Sequence, residues 1–309
     1  MVIVETSRGL FRVVDVYYPQ LQEASGIAGD LAVNQIVYVR QAPGHLPPNR
    51  LAVRYRPFET SLLDLTRDTD ELFRGFSRTC RNMVRRTDRA SDKIEVRRND
   101  DAAYRDFLTI HNGFVAVKKY AEKLSEQRLD AIKPFADVLV AYFDGRPLCG
   151  HVAIRDERLG RVGLVWSAST RLKGEDSPTF VGSLNRWLHW YEMQLYKLEG
   201  MRAYDFGGVG ADTPETAAIA KFKLSFGGTR VLEHNYIIAR AAGRAAISFF
   251  YAIRRLRSDW WRFQLGNPLT KSTHALPCPD IPSRLVEEVH WSRLGPATSA
   301  SKNSQDSGL

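Results

Sequence analysis

Alternation of apolar and polar residues marks the first third of the chain. "FRVVDVYY", "QIVYVRQ" and "RLAVRYRPF" each read as a short strand rich in β-branched and aromatic residues, the last two separated by the turn-rich "APGHLPPN". The period then changes. Leu72, Phe76, Cys80 and Met83 recur at helical spacing, so one helix is expected over 68–90, with Asp68 as N-cap and Glu71 three residues later. "KIEVRR" reads as a strand, followed by helical patterns over 100–116 and 120–132. "VLVAYF", "PLCGHVAI" and "RVGLVWSAS" are three strands in succession, the first two joined by a hairpin signal at Asp144-Gly145. A long helix from Phe180 to Glu199 carries Leu184, Trp187, Leu188, Tyr191, Leu195 and Leu198 on one face, and Gly200 suits its C-terminus. A strand at "RAYDFGG", a helix over 214–225 and a strand at "VLEHNYIIAR" complete the regular part.

Composition narrows the class. A chain of 309 residues with 44% hydrophobic residues can build a sizeable core, as one large domain or two moderate ones. The net charge of +9 favours anionic partners, phosphates, nucleotides, RNA or an acidic membrane face, without choosing among them. Cys80, Cys149 and Cys278 form no CxxC pair, which argues against a zinc site or a disulfide framework and fits a reducing, cytoplasmic compartment. The N-terminus has no charged segment leading into an apolar run, so no secretory leader is expected, and no apolar stretch approaches the roughly 20 residues of a membrane span. The segment 241–264 reads as a basic amphipathic helix that mixes Trp260, Trp261 and Phe263 with Arg254, Arg255 and Arg257; it suits either peripheral membrane contact or packing on its own domain. The end, 295–309, reads as a disordered tail.

The order strand, two helices, three strands, helix, strand, helix, strand resembles the GNAT fold. The specific signal is "YDFGG" at Tyr204–Gly208 followed by "IAKFKLSFGG" at Ile219–Gly228, which resembles the C-terminal signature of the FemAB-like acyltransferases, a group that includes peptidoglycan aminoacyltransferases and BioF-like acetyltransferases. "LFRGFSRTCRNMVRRTDRASDKIEV" resembles the Arg-rich helix that precedes the second GNAT half in that family. The resemblance covers roughly 60–240. It implies an α/β fold with a GNAT-like mixed, mostly antiparallel sheet and flanking helices. The expected domains are a trimmed N-terminal GNAT-like half over 1–90, an acyltransferase domain over 91–240 and an extension over 241–294.

Candidate residues follow from the motifs. Gly207 and Gly208 end a strand where backbone or ligand can approach closely, a ligand crevice or a plain strand exit. Asp205 either touches substrate or ties the loop by accepting backbone hydrogen bonds. Lys221 and Lys223 are two apart on a helix, so only one can face the crevice. The resemblance points to the pair Phe222 and Lys223, with the lysine stabilising charge at the reacting carbonyl or holding a donor phosphate. Arg171, Lys173 and Gly174 supply part of the GNAT donor loop [QR]-x-x-G-x-[GA], which then fails at Asp176, where a carboxylate would stand close to a pyrophosphate. Arg74, Arg78, Arg81 and Arg85 recur as one basic face, open to a phosphate-bearing ligand or to acidic neighbours in the fold. Asn185, His189 and Glu192 form a polar stripe on the long helix, where His189 is either a base or a structural residue. Nothing reads as a metal motif, a nucleophile elbow or a P-loop.

The reading these features support is an N-acyltransferase that moves an acyl group from acyl-CoA to an amine of a cell-envelope or polysaccharide precursor, with a phosphate-bearing or lipid-linked sugar as acceptor. Two alternatives stay open: a FemAB-type aminoacyltransferase drawing on aminoacyl-tRNA, and a non-catalytic anion-binding scaffold. An α-amine or sugar amine titrates near pH 8, so a usable fraction is neutral without a strong protein base. Positioning and electrostatics would then carry the rate.

Overall fold

In the computed structural model, residues 1–252 are described apart from 30, 47–50, 119–122, 173–175, 211–212 and 250. The strands are β1 (Val2–Arg8), β2 (Phe11–Tyr17), β3 (Gln35–Ala42), β4 (Ala52–Asp64), β5 (Ile94–Arg98), β6 (Ala136–Phe143), β7 (Arg146–Asp156), β8 (Arg161–Ser169), β9 (Ala203–Gly208) and β10 (Thr229–Ala239). They form one sheet in the order β1-β2-β3-β10-β4-β9-β8-β7-β6-β5. Only β2–β3 and β8–β9 pair in parallel; the other neighbours are antiparallel. This is the mixed, mostly antiparallel α/β sheet expected from the sequence. The stretches 1–90 and 91–240 share it, because β10 lies between β3 and β4.

Helices cover both faces, and this explains why "VLVAYF" is apolar at every position. Leu139 and Ala141 of β6 point into a core shared with α2 (Thr69–Gly75), α3 (Arg78–Asp88) and α6 (Pro178–Leu198). Val138, Val140 and Tyr142 point the other way, toward α4 (Asp101–Lys118) and α5 (Glu126–Ile132). A further helix, α1 (Leu21–Gly29), makes the parallel crossover between β2 and β3 and was not anticipated from the sequence; α7 (Pro214–Leu224) joins β9 to β10. The apolar positions of α1, Ala24 and Ile27, pack on Val14, Val37 and Tyr236.

The single helix expected over 68–90 is two helices. Phe76 adopts an extended conformation (φ −66°, ψ 149°), and Ser77 starts α3 afresh, accepting from the Cys80 N–H at 3.2 Å. The break lets the Phe76 ring turn into the core against Trp190 and Phe226, and it changes the helical phase so that Val84 rather than Met83 is buried. Asp68 caps α2 as expected, accepting from the Asp70 N–H. At the hairpin, Asp144 and Gly145 both have positive φ, as a tight two-residue turn requires. The helix expected over 241–264 is seen at 241–249 and 251–252; the rest of 241–294 and the tail 295–309 lie outside the described residues.

Candidate active site

The site is built around a fork in the sheet. β8 pairs with β9 only through Arg161, Val162 and Gly163 opposite Ala203, Tyr204 and Asp205. Beyond that, β8 continues with β7 to Ser169, while Gly208 of β9 pairs with Thr60 of β4. Gly207 stands at the fork with φ +67°, a conformation that glycine adopts without steric cost. A side chain there would begin 3.1 Å from the Leu164 carbonyl oxygen and 3.8 Å from Lys223 Nζ. The lysine ammonium therefore sits where the two parallel strands part.

Lys223 reaches the fork from the last turn of α7 and donates to the Gly208 carbonyl at 3.0 Å. Lys221, two residues earlier, is exposed, as a 100° step per residue dictates. Burial lowers the Lys223 pKa to about 8, against the pull of the Asp205 carboxylate in the other direction. An ammonium with one fixed hydrogen bond and a weakened hold on its proton is suited to stabilising negative charge at a carbonyl placed in the fork.

Asp205 proves to be a structural node. It is fully buried, and its carboxylate accepts from Thr60 Oγ1, from the Gly207 N–H at 2.8 Å, from Gln41 Nε2 at 2.7 Å and from Arg161 Nη2 at 2.6 Å. Arg161 also donates to Glu233 on β10 at 2.6 and 2.9 Å and lies 4.2 Å from the centre of the Tyr18 ring. Burial alone would raise the Asp205 pKa, but the Arg161 charge and the converging donors hold it below the ordinary value. Gly163 makes the cluster possible, since a side chain at 163 would begin 1.6 Å from the Tyr18 hydroxyl. The expected contact of Asp205 with substrate is thus corrected: its acceptor capacity is taken by the protein. Arg161 and Glu233 escaped sequence reasoning. A charged residue opening an apolar strand was the visible signal, but its partners lie 44 and 72 positions away.

The polar stripe of α6 is buried as well. His151 of β7 bridges Asn185 Oδ1 at 3.0 Å and Glu192 Oε1 at 2.9 Å. The Tyr204 hydroxyl donates to Glu192 Oε2 at 2.6 Å, and His189 Nδ1 lies 2.8 Å from that hydroxyl. The His189 ring stacks on His151 and meets Phe206, Phe222 and Phe226, with no exposed surface. Burial and the neighbouring His151 push its pKa down to about 3. A base needs access to its substrate, so His189 is corrected to a neutral core residue and Asn185 to a partner of His151. Donor atoms of His151, His189 and Glu192 lie within 4.8 Å of one another, a spacing that could hold a metal ion. Hydrogen bonds engage both Glu192 oxygens and both His151 nitrogens.

The Phe222 ring packs against His189, Phe226 and the Arg186 guanidinium, which makes it a platform and not a reacting group. In the donor loop, Arg171 is exposed in a short 3-10 turn after β8, while Lys173 and Gly174 lie outside the described residues. The Asp176 carboxylate is paired with Arg146 at 2.8 and 3.0 Å, which neutralises the acid that broke the loop pattern. The four-arginine face is interrupted by the break at Phe76. Arg81 donates to the Arg74 and Phe76 carbonyls and closes α2, Arg85 lies over the Phe73 ring, and Arg78 is exposed at the start of α3. A concavity of about 360 Å3 between the β1–β2 turn and α5, lined by Glu5, Gly9, Arg12 and Gln127, holds none of these candidates.

With the fork and its lysine in place, comparison with solved structures becomes informative. The crystal structure of FemX aligns with 76% of this chain and 83% of its own length, at 10% identity and a TM-score of 0.53. The chain shares that fold. The C-terminal domain of a putative lysylphosphatidylglycerol synthetase from Agrobacterium fabrum aligns over 80% of this chain and 83% of that one, at 14% identity and a TM-score of 0.48. A putative GNAT-family acetyltransferase from Novosphingobium aromaticivorans aligns over 77% and 92%, at 9% identity and a TM-score of 0.43. No protein-family model and no curated protein matches the sequence. The mixed, mostly antiparallel α/β fold implied by the resemblance of "YDFGG" and "FKLSFGG" is the fold shared with FemX.

Proposed function

We propose that the chain is an N-acyltransferase that moves an acyl group from acyl-CoA to an amine of a cell-envelope or polysaccharide precursor at the β8–β9 fork. The observation that carries this reading is the Lys223 ammonium held at the fork beside Gly207 and Gly208. The neutral amine attacks the thioester carbonyl and forms the C–N bond. Negative charge gathers on the carbonyl oxygen, where the Lys223 ammonium stabilises it. The C–S bond then breaks, the thiolate leaves, and the proton shed by the amine passes to the thiolate or to water. No protein base is required, in keeping with the burial of His189.

One observation favours a second donor. Arg78, Arg85, Arg86 and Arg89 of α3 and its end are exposed, a basic surface of the kind that engages an RNA backbone. Aminoacyl-tRNA is therefore the alternative donor, with the same attack on an ester carbonyl. The test is steady-state transfer with acetyl-CoA and a panel of amino sugars and amino acids, followed by thiol release. Lys223→Ala is expected to lower turnover by about 100–1000-fold, the scale for one lost oxyanion donor. Lys221→Ala is expected to leave it unchanged, with circular dichroism as the folding control. Equal activity of the two variants would remove Lys223 from the mechanism. Absence of thiol release with every amine, together with transfer from charged tRNA, would move the donor assignment to RNA.

A further inference from the structure

The face of the sheet covered by α4 and α5 carries a cluster that the acyl-transfer chemistry leaves unused. Trp166 of β8 is half-buried, and the Arg128 guanidinium of α5 lies 5.3 Å from the centre of its ring. His111 of α4 meets the same indole edge-on, with 6.4 Å between ring centres; the imidazole is buried and its Nδ1 has no hydrogen-bond partner. Tyr17, at the end of β2, joins the group from the N-terminal strands. The charged side chains acting on its hydroxyl are Arg40, Asp15 and Arg128, two cations and one carboxylate. Asp15 is already held by Arg40, whose Nε donates to it at 2.6 Å. No carboxylate among the described residues pairs with Arg128, and Asp130, two positions further on, is held by Lys133.

The cluster thus has one positive charge in excess, in a setting where water screens poorly. Its free groups are donors. Burial pushes the Tyr17 hydroxyl up to about 12, against the pull of Arg40, so its proton is retained. Burial, with the Arg128 charge adding to it, lowers the His111 pKa and keeps that ring neutral beside the cation. One excess charge matches a monoanion, and the planar guanidinium, oriented by the indole, matches the paired oxygens of a carboxylate. The cluster also lies beside the fork. Trp166 is two residues beyond Leu164, whose carbonyl stands at the fork, a step of about 6–7 Å along β8. From the other side, Tyr17 precedes Tyr18, whose hydroxyl lies 3.4 Å from the Asp205 carboxylate that holds the Gly207 N–H.

We propose that Arg128, stacked on Trp166, binds a carboxylate together with the Tyr17 hydroxyl, and that the ligand is an amino acid whose amine faces the fork. That this ligand is the acyl acceptor rests on the acyl-transfer reading; the carboxylate site itself does not. The site narrows the acceptor from amines in general to those with a free carboxylate, against neutral amino sugars.

The experiment is ligand-observed NMR titration of the full chain with glycine, β-alanine, the amides of both, glucosamine and phosphoethanolamine, in wild type, Arg128→Gln, Arg128→Lys and Tyr17→Phe. Wild type binds at least one of the two acids about tenfold or more tighter than its amide, the scale of a charge-assisted contact, and Arg128→Gln erases that difference. Arg128→Lys keeps the charge but not the planar fork and recovers only part of it. Tyr17→Phe removes a single hydroxyl, reduces the preference, and remains a valid test if the Arg128 variants fold poorly. The amides and glucosamine bind all four proteins alike. Equal affinity of wild type for acid and amide, or an undiminished preference in Arg128→Gln, overturns the site. Preference for phosphoethanolamine with indifference between acid and amide overturns the carboxylate assignment. A lower melting temperature in Arg128→Gln with an unchanged preference also overturns the proposal, marking Arg128 as packing for Trp166. Arginine-dependent binding of the acids without acyl transfer from acetyl-CoA would keep the site and sink the acyl-CoA reading; acyl transfer with equal KM for acid and amide would do the reverse.

Discussion

Lys223 shows how one side chain can be placed by spacing and tuned by surroundings. With a pKa of about 8 it is mostly charged at pH 7 and loses its charge as pH rises through about 8. If the ammonium is the working form, kcat should fall on the alkaline side with an apparent pKa near 8. Lys223→Arg, whose guanidinium stays charged, should remove that limb while retaining part of the activity; a pH–rate profile of the two proteins checks it. The Asp205 cluster makes a different demand. Arg161 faces two buried carboxylates, Asp205 and Glu233, so Arg161→Met leaves both without their cation. A loss of about 3–5 kcal/mol is expected, the scale for breaking a buried pair, measurable by urea unfolding. Sequence alone indicated that only one of Lys221 and Lys223 could face the crevice. It could not show that Asp205 is saturated by its own protein, because the side-chain partners come from β3, β4 and β8.

At the scale of elements, α6 carries the clearest consequence. Its stripe of Asn185, His189 and Glu192 has the periodicity of a solvent-facing edge, yet His151 and Tyr204 reach it from the sheet and bury it. His189 keeps a pKa of about 3 when folded, below its ordinary value, so between those values the unfolded chain binds more protons. Stability therefore rises with pH across that window and is lost as pH falls from about 6.5 toward 3. Glu192, held at about 2 chiefly by His151 against the effect of burial, acts in the same direction below its ordinary value. His189→Asn can still donate to the Tyr204 hydroxyl but cannot titrate; its melting temperature should fall less between pH 7 and pH 4.5 than that of wild type. An equal fall in both proteins would assign the acid sensitivity elsewhere. The α2–α3 break belongs to this scale too. The apolar spacing from Leu72 to Met83 ran through the break, and only the core pocket beside Trp190 and Phe226 decided where Phe76 would turn.

For the whole molecule, the last regular strand is central. β10 pairs with β3 on one side and β4 on the other, so these two strands meet in the sheet only through it. Ending the chain after residue 228 would leave β3 and β4 each with a bare edge in the middle of the sheet. Such a truncation is expected to be insoluble or to lose cooperative melting, which thermal unfolding followed by circular dichroism would show; a soluble, cooperatively melting product would mean that β4–β9 and β1–β3 can stand without β10. No helix among the described residues is long and apolar enough to cross a membrane.

Sequence by itself determined the element types and their order from β5 to β10, the Asp144-Gly145 turn and the placing of Lys221 and Lys223 on different faces of one helix, because side-chain periodicity and turn chemistry act over a few residues. Tertiary structure decided the rest: the insertion of β10 between β3 and β4, the parting of β8 from β9, the saturation of Asp205 and the burial of His189. Each of these joins residues whose distance along the chain says nothing of their distance in space.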